Sequence, residues 1–239
     1  MNIDALRDLA MAGVQWEIGD VPVGMRTTMP KPSAPRSATV VPPVAPVSPD
    51  AAASVARSAT DCAALICAIG KFNHPLCMTA GCTVLPHMGT GKLMIVTDVP
   101  GADDDTSGRV LSGAAGDMMD KMLNAIGLAR DRVSIVPLVF WHTPGGRTPT
   151  DEELNLARPF VDRFIELARP DVILTLGTLA ASRMAGRTLP QDHGVATSAF
   201  GATVIPIYHP NFLLLKPTAK RDVWDVLQRV EKMLKTAEK

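Results

Sequence analysis

Two stretches of this chain carry residue types able to do chemistry, and each follows a short apolar run. TDVPGADDDTSGRVLSG, residues 97–113, comes directly after LMIV and brings together three glycines and four aspartates. Gly101, Gly108 and Gly113 let main-chain amides come close to a ligand, and such amides suit an anionic oxygen. The aspartates oppose a phosphate there unless they turn away or one of them orders a water. An ordinary turn fits the same residues. The second stretch is IYHPNFLLLKP, residues 207–217. Pro210 holds His209 in a stiff turn, Phe212, Leu213, Leu214 and Leu215 follow as an exposed apolar run, and Lys216, Lys220 and Arg221 stand nearby. An apolar wedge of this kind can enter a base step while the cations meet phosphates. A helix-capping histidine with core leucines is the other reading.

Both stretches need a scaffold, and the rest of the sequence supplies its pattern. Short apolar runs alternate with helical periodicity, which predicts a parallel sheet covered by helices on both faces. The strands are LMIV at 93, VSIVPLV at 133, DVILTLG at 171 and ATVIPIY at 202; the helices start near 116, 151, 178 and 220. Thr150 and Glu153 have the spacing of a capping box at the start of the second helix. Met118, Met119 and Met122 read as core. Sites in such sheets lie beyond the carboxyl ends of the strands, so loops 97–113, 141–150, 177–180 and 208–217 should meet at one edge. The expected fold is α/β, a three-layer α/β/α sandwich with a short central parallel sheet.

Ahead of this domain, residues 2–17 place Ile3, Leu6, Leu9 and Ala10 at helical spacing and then present Trp16. From about 21 to 58 the composition turns to proline, alanine, serine and valine, which predicts a flexible linker. The expected organisation is a short helix in 1–20, a disordered linker in 21–58 and the folded domain in 59–239. The amino-terminal helix either docks on the domain or carries a motif for a protein partner. Lys plus Arg equals Asp plus Glu, 24 each, so the average charge favours neither nucleic acid nor membrane. No apolar run is long enough to cross a bilayer and the amino terminus lacks a signal-peptide pattern, so cytoplasm is the expected address and no membrane partner is foreseen. Cys62, Cys67, Cys77 and Cys82 form a C-x4-C-x9-C-x4-C array. The spacing is not that of zinc ribbons, and buried or free thiols are expected, with no metal.

PGADDDTSGR, AAGDMMDKMLNAIGLAR, WHTPGGRTPTDEELNLARPF, DVILTLGTLAA and YHPNFLLLKP follow one another in this order. In that order they resemble family 4 uracil-DNA glycosylases, over residues 72–232 or so, and MAGVQWEIGDVPV and FNHPLCMTA resemble one branch of that family. The resemblance implies a uracil-DNA glycosylase-like fold and a reaction in which a flipped-out deoxyuridine loses its base by hydrolysis of the glycosidic bond. His209 and the amides around Val99, Pro100 and Gly101 match the groups that stabilise the departing uracil anion, and Asp98 matches the acidic residue that positions water or stabilises the sugar cation. Arg147, Pro210, Asn211, Phe212, Leu213, Leu214 and Lys216 match DNA-contacting loops. His142 and Arg147 flank the proline-glycine loop, and each could touch phosphate or stand in a solvated loop. His74, His87 and His193 receive no role.

Several positions depart from the family pattern. GEAPG reads TDVPG here, with Thr97 for the first glycine and Asp98 for glutamate; a water misplaced by an ångström or so lowers a rate by about a hundredfold. GRPFVG reads GRVLSG, with Leu111 where a phenylalanine stacks on the base, and stacking is worth roughly 1 to 3 kcal/mol. Pro137 stands where an asparagine reads the uracil edge, and proline offers neither a side-chain amide nor a backbone donor. Trp141 and Ala157 occupy two of the four cysteine positions of the family's 4Fe-4S cluster, so that cluster is not expected and no cofactor is foreseen. The resemblance thus implies a monomeric DNA-repair glycosylase with weakened or altered activity, or else a non-catalytic DNA-binding or partner-binding relative.

Overall fold

The computed structural model describes residues 48–237. The amino-terminal helix and residues 21–47 of the expected linker lie outside the described residues. Strands β1 (Leu93–Thr97), β2 (Val133–Pro137), β3 (Val172–Leu176), β4 (Thr197–Ala199) and β5 (Ala202–Ile207) form one sheet in the order β2-β1-β3-β5-β4. Its three parallel pairings join the four strands foreseen, and β4 is added as an antiparallel edge. That short edge strand, half exposed and only three residues long, gave no apolar run to read. It returns into β5 through Phe200 and Gly201, both at positive φ, the geometry of a tight two-residue hairpin turn.

Strands buried on both faces need helices on both faces. On one side lie α1 (Pro49–Ser58), α2 (Cys62–Lys71), α5 (Asp151–Ala168) and α6 (Thr178–Ala185), whose Ala52, Leu65, Phe160, Phe164 and Met184 join Met94, Val96, Val136 and Ile173 of the sheet. On the other, α4 (Gly113–Ala125), α7 (Pro210–Leu215) and α8 (Lys220–Ala237) bring Met119, Leu123, Leu213, Val223 and Val230 against Ile95, Ile135, Leu174 and Ile205. A further short helix, α3 (Ala102–Ser107), lies inside the first chemistry-bearing loop. The result is the three-layer α/β/α sandwich expected. Thr150 and Glu153 form the capping box of α5 with both reciprocal bonds made.

Residues 49–58, expected as the end of a linker, are helix α1. Ser48 caps it by accepting from the Ala51 amide at 3.2 Å, and Pro49 sits at the first helical position, where its missing N–H costs nothing. The alanines that made the stretch look featureless are what let α1 lie close on α5, with Ala52 and Ala56 fully buried.

Candidate functional site

The ends of the four parallel strands are in register: Thr97 pairs with Pro137 and with Leu176, and Leu176 pairs with Ile207. The loops that follow therefore leave the sheet side by side. Contacts between them are direct. Asp98 accepts from the Ala180 amide at the start of α6, His142 donates through Nδ1 to the Pro100 carbonyl at 2.7 Å, and His209 meets Thr97 at 3.2 Å.

His209 is the N-cap of α7. Its Nδ1 accepts the Asn211 amide at 3.2 Å, so the neutral ring carries its proton on Nε2 and donates it to Thr97 Oγ1. Burial holds the imidazole pKa below its usual value, with the nearby Asp104 carboxylate pulling weakly the other way. The capping reading and the reading of a donor at the sheet edge are both realised, one by each ring nitrogen.

Asp98 sits where Gly177 opens α6. Gly177 is at φ 97 and has no side chain to cap the helix; a Cβ on it would stand 2.2 Å from Asp98 Oδ2. The aspartate takes over as the cap from a distant loop, receiving the Ala180 amide at 2.6 Å, with the Leu179 amide beside it. Desolvation outweighs these bonds and pushes the carboxyl up to about 6. Asp98 and Val99 also line a cleft of about 430 Å³ with Gly146, Arg147, Pro149, Thr178 and Ser182.

Asp104 and Asp105 turn inward onto backbone, whereas Asp103 is exposed. Asp104, only 7% exposed, accepts from the Gly101 amide at 3.0 Å and from the amide and hydroxyl of Ser112, each at 2.6 Å. Asp105 accepts from the amides of Gly81 and Cys82. This changes the expected cradle of amides at 99–101. Gly101 gives its N–H to Asp104 and Pro100 has none, which leaves Val99 as the candidate donor of the three.

Other expectations need correction. Leu111 is 3% exposed, belongs to the core on the α4 and α8 side, and adopts φ 51. A leucine in this left-handed region carries strain of order 1 to 3 kcal/mol. Pro137, also buried, shares a face of the sheet with Thr97. Leu213 was read as part of an exposed run, yet it is 1% exposed and anchors α7, whereas Phe212, Leu214 and Leu215 face outward. The helical turn of Pro210–Leu215 causes this split, since one of every three to four residues must face the core. Pro210 is buried, and Asn211 and Lys216 are exposed. Arg147, open between a phosphate contact and a solvated loop residue, forms a two-pronged ion pair with Glu153 at 2.8 and 2.5 Å. His142, left between phosphate contact and solvated loop, instead holds the Pro100 carbonyl.

Sequence reasoning missed Thr97 as the partner of the histidine and Asp104 as the brace of the loop. The first left a signal, a hydroxyl where the family pattern has glycine. The second was hidden among three consecutive acids.

The region around Trp141, where the resemblance implied cluster ligands, is filled by rings. Trp141, 1% exposed, stacks on His74 at 4.5 Å and 11°, packs near Phe72 and Phe140, and donates its indole N–H to Thr83 Oγ1 at 3.0 Å. His74 is fully buried and bridges Leu76 N–H and the Glu153 carbonyl. Ala157 is packed in the core. Burial raises the thiol pKa of Cys62, Cys77 and Cys82. Among the described residues no group of three or more His, Cys, Asp or Glu is placed to hold a metal, and no helix is long and apolar enough to cross a membrane. The residues present do not fit a four-cysteine cluster.

The fold and site thus define an α/β/α protein whose histidine and buried carboxylate come from two loops at the carboxyl edge of the sheet. The chain belongs to the Uracil DNA glycosylase superfamily, whose sequence model matches residues 88–230. It is 32% identical over 154 residues to the type-4 uracil-DNA glycosylase of Archaeoglobus fulgidus, covering 58% of this chain and 75% of that one. Against the enzyme of the same name from Sulfurisphaera tokodaii it is 27% identical over 154 residues, 59% of this chain and 70% of the other. With that of Thermotoga maritima the identity is 33% over 127 residues, 52% and 66% of the two chains.

Proposed function

We propose that the protein is a DNA glycosylase that hydrolyses the N-glycosidic bond of a flipped-out uracil or related base, with weakened or altered activity. The observation that carries this reading is the hydrogen bond from the Asn211 amide to Nδ1 of His209. With Nδ1 engaged by the Asn211 amide, the neutral ring presents Nε2–H, the donor a departing base anion needs from a group that does not have to ionise first. Asp98, with its carboxyl near 6, is ionised at neutral pH and supplies negative charge for the sugar cation or for an attacking water. His142 holds the Pro100 carbonyl, so the amide of Val99 keeps its aim.

The outward Leu215, 85% exposed, with Phe212 and Leu214 beside it and Lys216 following, serves as the wedge that occupies the gap left by the flipped nucleotide. The partner is DNA, and the enzyme acts as a monomer in the cytoplasm. The domain begins at α1, and the segment ahead of it serves either to dock on the domain or to bind a protein partner. Trp141 and His74 take the room of the family's cluster, so the purified protein carries no stoichiometric iron.

A second reading is favoured by the engagement of His209 with Thr97 and by the loss of edge-reading groups at Pro137: a relative that binds DNA without excising a base. An oligonucleotide bearing a single uracil separates the two. Strand cleavage after alkali, abolished by His209→Ala, supports the enzyme. A gel shift without excision of uracil or other damaged bases supports the second reading.

A further inference from the structure

We propose that Thr97 is a latch on His209 and thereby decides whether a base reaches the imidazole; this rests on the glycosylase reading of the same site. The hydroxyl of Thr97 lies 3.2 Å from Nε2, and Thr97 is 2% exposed. Because Nδ1 is already fixed by the Asn211 amide, Nε2–H is the donor left to the neutral ring, and Thr97 Oγ1 receives it. The position is tightly constrained. Thr97 ends β1 with Pro137 on one side and Leu176 on the other, and its carbonyl accepts the Leu138 amide at 3.0 Å, so its backbone is fixed where the side chain is buried.

Leu176 and Ile207, the neighbouring strand ends, are fully buried apolar residues. A hydroxyl in such surroundings keeps a partner firmly, since losing it leaves a buried polar group unsatisfied. A glycine at 97 would leave the imidazole proton free and the space beside it open. With threonine, a nucleobase oxygen must displace an existing hydrogen bond before it receives one. Thr97 is therefore a positioning residue that sets the entry condition of the pocket.

The test compares Thr97→Gly, Thr97→Val and Thr97→Ser, each checked for folding by circular dichroism, on a single-stranded oligonucleotide with one uracil. Single-turnover excision is expected to rise roughly tenfold in Thr97→Gly, less in Thr97→Val, and to stay at the wild-type level in Thr97→Ser, which keeps the hydroxyl. Independently of activity, the 15N signal of His209 Nε2 should shift in Thr97→Val and remain in Thr97→Ser. Folded Thr97→Gly and Thr97→Val with excision at or below wild type and an unchanged Nε2 signal overturn the latch. No excision by any variant, with the Nε2 signal still shifting in Thr97→Val, upholds the latch and removes the glycosylase reading instead.

Discussion

The carboxylate of Asp98 accepts a hydrogen bond at 2.6 Å from the amide of Ala180, 82 residues further along the chain. One side chain thus begins the loop after the first strand and caps the helix after the third, and its burial there raises its pKa against the pull of those hydrogen bonds. Its folded pKa of about 6 lies above the reference value of 3.8, so the stability it contributes is complete below the lower value and is lost as pH rises through the higher. Asp98→Asn, which keeps an acceptor for the Ala180 amide, is expected to be more stable than wild type at pH 8 by up to about 3 kcal/mol and nearly equal at pH 4. Thermal unfolding at the two pH values checks this.

The same group predicts a pH profile. With Asp98 needed ionised and His209 needed neutral, excision should rise with pH through about 6 and then level off. A single-turnover rate that is flat from pH 5 to pH 8 would count against Asp98 as the acidic residue of the reaction.

Arg147 is held by Glu153, whose own pKa is lowered chiefly by the hydrogen bonds from that guanidinium. Glu153→Gln keeps the capping box, in which glutamine also serves, and releases the arginine. Affinity for single-stranded DNA is expected to increase, and the slope of log K against log salt should steepen by about one. Fluorescence anisotropy at several salt concentrations measures both. Equal slopes would mean that the loop does not reach a phosphate.

Helix α7 divides its leucines by role. Leu213→Ala should cost about 2 to 5 kcal/mol in chemical denaturation, because the residue is buried. Leu215→Ala should leave stability unchanged within about 0.5 kcal/mol and reduce excision from duplex DNA more than from single strands.

How far the sequence could be read follows from what each element is made of. β1, β2, β3 and β5 announced themselves because strands buried on both faces are nearly continuous apolar runs, and α5 because Thr150 and Glu153 mark its start. α1 escaped because alanines read as linker when proline and serine surround them. At the site, His209 and Asp98 stood out by residue type and by the resemblance. Their partners did not: the Ala180 amide, the Thr97 hydroxyl and the Pro100 carbonyl are brought in by strand register, which a local pattern cannot display. Leu213 was misassigned because a run of like residues conceals which one the helix turns inward.

Trp141 closes the region around His74, Phe72 and Phe140. Trp141→Ala is expected to lose about 3 to 5 kcal/mol, and iron analysis of the wild-type protein, purified without oxygen, should find no stoichiometric metal. Four irons per chain would overturn the assignment of this region to aromatic packing.

Asp104 ties the amide of Gly101 to the amide and hydroxyl of Ser112, which turns residues 101–112 into a ring closed by one carboxylate. A closed ring holds its outline whatever side chains it displays, so the ends of this segment behave as a mounting frame rather than as reagents. Residues fixed to such a frame can be exchanged one at a time while its shape persists. Leu111 lies inside the ring and takes its positive φ from that closure, whereas Thr97 lies outside it and is held by the strand end instead.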